Sequence, residues 1–169
     1  QHADPHKMTQ TATDDASVQK VETPKNQATK EPGNAVVASL DLASNTKPTE
    51  LTTFKRIRIT VGKEPFYEFE NAVFEGYDFN DVIALIPKLD ILDPAAHRLR
   101  FVCSDGYETT FPFSSIRGLR GVLADRVVEQ GKPQPFPERK TGSSSSNAGP
   151  WYLVWEGAQY GSKRPWPYQ

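Results

Sequence analysis

Apolar and polar positions alternate with a period of two in several stretches of this chain. Ile57, Ile59 and Val61 alternate with Arg56, Arg58 and Thr60, which predicts a strand over 55–61 with aliphatics on one face and arginines on the other. Leu99, Phe101 and Cys103 alternate with Arg100 and Val102, and Tyr107, Thr109 and Phe111 with Glu108 and Thr110. Between them lies Ser104-Asp105-Gly106, so the pattern predicts a hairpin over 99–111. Asp tolerates left-handed backbone angles and Gly reaches them without steric cost. The aromatic-rich stretch 66–74 reads as a further strand, and Trp151 to Trp155 (WYLVW) as another. Helical spacing takes over at Val82, Ile83, Leu85 and Ile86, with Asn80 or Asp81 as cap and Pro87 as limit. Pro112 to Ser115 resembles a helix entry, and Ile116, Leu119, Val122 and Leu123 continue it, weakened by two glycines. For 124–128 the pattern leaves strand and helix open, as it does for the short apolar run 34–42. Together these elements predict an α+β (mixed α/β) domain.

Composition changes the picture chiefly through its distribution. Every aromatic residue lies at or after Phe54. The first fifty residues, rich in Thr, Ala, Asp, Lys, Gln and Pro, lack the apolar surface to offset their ordering entropy. Residues 1–53 are therefore expected to be a disordered polar tail and linker, and 54–169 the folded domain. Residues 130–141 read as a proline-rich polar loop, and 142–149, with four consecutive serines, as a flexible insertion. The formal net charge of −1, with both signs interspersed, argues against a nucleic-acid binder, which needs a concentrated basic face. No hydrophobic run approaches the length of a membrane span. The chain begins at Gln1 without a cleavable signal, and the polar tail suggests a processed chain that is periplasmic or otherwise exported. A single cysteine excludes an internal disulfide.

Candidate chemistry is sparse. His2, His6 and Met8 are copper-type ligands by residue class, but read as a polar terminus. His97 stands apart from any other histidine or cysteine and reads as a hydrogen-bonded surface residue. Lys55, Arg56 and Arg58 are either a small basic patch or a solvated strand face. Trp151, Trp155, Trp166 and Tyr168 are either a recognition surface or core. Asp105 and Gly106 are explained as turn residues. No phosphate loop, metalloprotease helix or serine elbow is present.

A family resemblance is carried by motifs in order. Phe74-Glu75-Gly76-Tyr77 leads into a helix. Arg100-Phe101-Val102-Cys103-Ser104-Asp105-Gly106-Tyr107 follows, then Leu123-Ala124-Asp125, then Gly149-Pro150 before Leu153-Val154, and a late Trp166. The series resembles the small molybdopterin-binding domain of the sulfite oxidase type, over roughly Phe54 to Gln169. The resemblance implies that fold, and a site at Cys103, Tyr107 and Arg100. Active members hold molybdenum through a cysteine upstream of the Asp-Gly-Tyr turn; here 54–98 contains no thiol, and Cys103 adjoins the turn. The expectation is a cofactor-free or degenerate relative, an exported binding or accessory module of a redox system beside a partner such as a cytochrome. The alternative is a molybdopterin-dependent oxidoreductase with Cys103 as the metal thiolate. Exposure of Cys103 separates them, because its alternation with Leu99 and Phe101 puts it on the apolar face, where thiols are inert.

Overall fold

The structure, a computed structural model, describes residues 35–42, 49–159, 161 and 163–167. His2, His6, Met8 and most of the expected tail lie outside these residues, as does Tyr168. The described residues are 40% strand and 13% helix. The protein is therefore mainly β, which corrects the α+β (mixed α/β) expectation.

The central sheet is antiparallel. β1 (Arg56–Lys63) pairs with β2 (Glu70–Asp78), and β2 with β5 (Gly121–Glu129). The second edge of β5 is shared. Its first half pairs with β9 (Tyr152–Trp155) and its last residues with β6 (Lys132–Gln134). Just past β9, the Gly157 amide donates to the Thr60 carbonyl at 2.8 Å, and the Lys63 amide donates to the Ala158 carbonyl at 3.0 Å. The two ends of the strand order are thereby tied together.

The alternation read from β1 has its predicted consequence. Ile59 and Val61 enter a cluster with Phe74, Val122, Ala124, Val127, Tyr152 and Val154 on one sheet face. Leu153 and Trp155 face the other way, against Phe79, Ile83, Phe113 and Ile116. β9 is thus buried on both faces, as its continuous apolar run requires. Trp151, Trp155 and Trp166 pack with these clusters rather than forming an exposed aromatic surface. Burial of each such large side chain contributes roughly 1.5–3 kcal/mol.

The helices are short. α1 (Phe79–Ile83) is capped by Asp78, whose side chain accepts from the Asn80 amide at 2.8 Å; neither Asn80 nor Asp81 is the cap. α2 (Phe113–Ile116) stops where Gly118 turns to φ +77°. The expected continuation through Val122 and Leu123 is instead the start of β5. Val122 and Leu123 face opposite sheet sides, in separate clusters. That division suits a strand sandwiched between two apolar layers and not a one-sided helix.

β3 (Arg98–Val102) and β4 (Glu108–Pro112) form the predicted hairpin, with Leu99 opposite Phe111 and Phe101 opposite Thr109. The Gly106 amide donates to the Cys103 carbonyl at 3.0 Å, with Gly106 at φ +88°. This is a three-residue turn ending in a left-handed glycine. The polar stretch after β6 also pairs, as β7 (Arg139–Thr141) with β8 (Ser144–Ser146), in place of an irregular insertion.

The expected strand over 66–74 begins late, at Glu70. Residues 65–67 form a turn around Glu64, which is fully buried. Its carboxylate accepts from the amides of Phe66 (2.7 Å), Tyr67 (2.9 Å) and Phe69 (3.1 Å), and from the Tyr152 hydroxyl (2.7 Å). Upstream of Phe54, Leu51 is also fully buried. With Leu40 and Leu42 it packs on Tyr77, Val82, Leu123 and Trp151.

Candidate functional site

Phe74 faces Val127 across the β2–β5 ladder and Glu75 faces Arg126, but Gly76 then faces Ala124. Asp125 is the extra residue of a β-bulge. Gly76 is required there, since a Cβ would lie 2.6 Å from Ala124 Cα. Such a bulge re-aims side chains, and Asp125 is turned onto the guanidinium of Arg56. Arg56 Nε also meets Glu75 at 3.0 Å, and Arg58 Nε meets the other Glu75 oxygen at 2.6 Å. Arg56 and Arg58, for which the sequence leaves a basic patch and a solvated strand face both open, are thus half of a charge-balanced network. Burial opposes ionisation of Glu75, but the hydrogen bonds from Arg58 and Arg56 outweigh it and hold this carboxyl below its ordinary range. The Arg56 pKa is raised, first by its hydrogen bond to Asp125.

The bulge is also the floor of a cleft. β9 covers the β5 edge from Gly121 to Ala124, and β6 covers it from Val127 to Glu129. Among the described residues, no strand lies opposite Asp125 and Arg126 on that edge. Beyond β6 the chain leaves through Pro135-Phe136, and it enters β9 through Gly149-Pro150-Trp151, with a cis Gly149–Pro150 bond. Proline has no amide to continue a ladder, so the two segments part around the unpaired edge. The resulting cleft has a volume of about 310 Å³ and is lined by Asp125, Arg126, Pro135, Phe136, Asn147, Gly149, Pro150 and Trp151.

Its walls are anchored. Trp151 Nε1 donates to the Leu42 carbonyl at 3.0 Å, and the Trp151 ring sits 6.3 Å from that of Tyr77. The Phe136 ring lies 6.4 Å from Phe74 and from Tyr67. Asn147 accepts from the Gly149 amide at 2.9 Å and donates to Glu138 at 2.8 Å. Behind this wall the Tyr67 hydroxyl accepts from the Ala148 amide at 2.9 Å, and burial raises its pKa.

Arg100, Cys103 and Tyr107 all belong to the β3–β4 hairpin, and none lines the cleft. Cys103 is 6% exposed. Its amide donates to the Tyr107 carbonyl at 2.9 Å, closing the hairpin. Tyr107 is 51% exposed. Arg100 is exposed and paired with Glu108; the Arg100 Nε–Glu108 contact is 3.0 Å. That pairing raises the arginine pKa and lowers the carboxyl's. His97 Nδ1 donates to the Asp93 carbonyl at 2.8 Å, in keeping with a hydrogen-bonded surface role.

Two other stretches of the resemblance do reach the cleft, Leu123-Ala124-Asp125 through Asp125 alone and Gly149-Pro150 through both residues. Arg126, Phe136 and Asn147 were not singled out by sequence. The available signal was the Pro135-Phe136-Pro137 triplet, an aromatic between two ladder-breaking residues. No cluster of three or more His, Cys, Asp or Glu suited to a metal occurs among the described residues. No helix among them is long and apolar enough to cross a membrane. Comparison with protein-family models, curated proteins and solved structures finds no match.

Proposed function

We propose that this chain is a cofactor-free binding or accessory module of a redox system, exported, and that it binds through the cleft at the β5 bulge. The observation that carries the reading is the position of Cys103. A metal thiolate must reach its metal, and the one thiol of the chain is 6% exposed at the base of a hairpin, outside the cleft lining. The sequence resemblance to sulfite oxidase-type domains supplies the redox setting and a partner such as a cytochrome. The cleft supplies an open, mostly apolar surface with a few polar groups, Asp125, Arg126 and Asn147.

The test is the molybdenum and pterin content of the full chain purified from a host that makes the molybdenum cofactor, beside a Cys103→Ser variant. The expected result is no stoichiometric molybdenum in either protein, with circular dichroism unchanged. Stoichiometric molybdenum that disappears in Cys103→Ser would establish the oxidoreductase alternative and overturn this reading.

A further inference from the structure

The binding-module reading leaves open what the cleft takes, and on that reading rests a narrower inference from the cleft's own chemistry. We infer that the split between β6 and β9 binds a small aromatic carboxylate, its ring against Phe136 at the open edge of β5 and its carboxylate on Arg126.

Size comes first. The uncovered part of the β5 edge is two residues long, closed at one end by β9 and at the other by β6. Two residues of strand span about 7 Å. An extended peptide needs several residues of open edge to add a strand, whereas a single ring with one substituent fits this gap. The cleft volume of about 310 Å³ stands at the lower end of the range for small-molecule sites.

The walls select the body of the ligand. Half-buried Phe136 follows β6 and the largely buried Trp151 opens into β9, and Pro135 and Pro150 line the cleft beside them. Both rings are held in place, Phe136 by Phe74 and Tyr67 and Trp151 by Tyr77 and the Leu42 carbonyl. Pre-ordered aromatic walls favour a flat apolar body, which stacks or meets them edge-on.

The charges select its polar end. Asp125 is the acidic residue of the lining, and Arg56 neutralises it. Arg126 is exposed, and its guanidinium contact is Nη1 to the Asp125 carbonyl at 3.1 Å. No carboxylate pairs with it among the described residues. A guanidinium fork presents parallel donors that match a carboxylate. Anion binding therefore adds a partner to Arg126 without breaking an ion pair.

The experiment uses the full chain and 2-naphthoate as probe, with neutral 2-naphthamide as control, followed by calorimetry and by the indole resonance of Trp151. The metal content is measured on the same preparation, so failure of the binding-module reading shows there and not in the titration. The expected result is saturable naphthoate binding that moves the Trp151 resonance. The amide and the Arg126→Gln variant bind about tenfold more weakly, and Arg126→Lys recovers part of the loss. Arg126 is exposed, so these variants are expected to fold, and circular dichroism checks it. Absence of saturable binding up to about 10 mM overturns the inference. So does equal affinity for the acid and the amide, or an Arg126→Gln variant that binds naphthoate like the unsubstituted chain.

Discussion

At the scale of single residues, two positions carry more than their size suggests. Glu64 is fully buried yet accepts three amide hydrogen bonds and one hydroxyl. A buried carboxylate is tolerable only with such a set of donors, and it in turn satisfies the amides of the 65–69 turn. Glu64→Gln keeps the volume but places an amide group against those donors. The expected cost is about 3 kcal/mol, read as a lower urea midpoint at unchanged slope. Tyr152→Phe removes one of the donors and should cost about 1 kcal/mol by the same measurement. Gly76 is a different case. Any Cβ there runs into the backbone of Leu123 and Ala124, and backbone cannot swing aside as a side-chain end does. Gly76→Ala should destabilise by about 3 kcal/mol. Because the bulge forms the cleft floor, its residual folded fraction should also lose naphthoate binding.

At the scale of elements, legibility follows how local the cause is. The β3–β4 hairpin was readable because its alternation and its Ser104-Asp105-Gly106 turn lie within fifteen residues of one another. Gly106 adopts φ +88° with nothing within 4 Å of where a Cβ would sit. Gly106→Ala therefore adds backbone strain without a clash, an expected loss of about 1 kcal/mol in a thermal melt. The start of β5 was misread because Ile116, Leu119, Val122 and Leu123 match helical spacing. What decides the outcome is tertiary: β2 and β9 lie on either side, and both faces are apolar. The strand over 66–74 was placed too early because the buried acceptor that folds 65–69 into a turn is one glutamate with no local signature. The β7–β8 pairing was missed because polar serines carry no period. The cleft was the least legible feature, since Asp125 and Pro150 meet there only because two strands share one edge. Cys103, by contrast, was placed on the apolar face by its period alone, and the structure buries it.

At the scale of the whole molecule, the network of Arg56, Arg58, Glu75 and Asp125 ties together β1, β2 and β5, the three strands that build most of the Ile59–Val61–Phe74 cluster. The bulge makes Asp125 an extra residue that pairs with Arg56, and Glu75 meets both arginines. Glu75 has a pKa below its ordinary value of 4.5 in the folded chain. The unfolded chain therefore takes up the proton first as pH falls. Stability from this group is fully present above about 4.5 and is lost as the pH drops through the lower folded value. Glu75→Gln removes the linkage. At pH 7 the variant should be less stable by about 2 kcal/mol, a figure kept modest because Arg58 is half exposed and solvent screens its share. Below about pH 4.5 the gap between the two proteins in urea midpoint should narrow, because the unsubstituted chain loses what the variant never had. The difference between the two proteins reports the linkage of the network that Glu75 holds together. A gap that stays constant as the pH falls below 4.5 would mean that the arginines are held by Asp125 and by the Gly131 carbonyl, which accepts from Arg58 Nη1 at 3.2 Å, and that Glu75 contributes shape rather than charge.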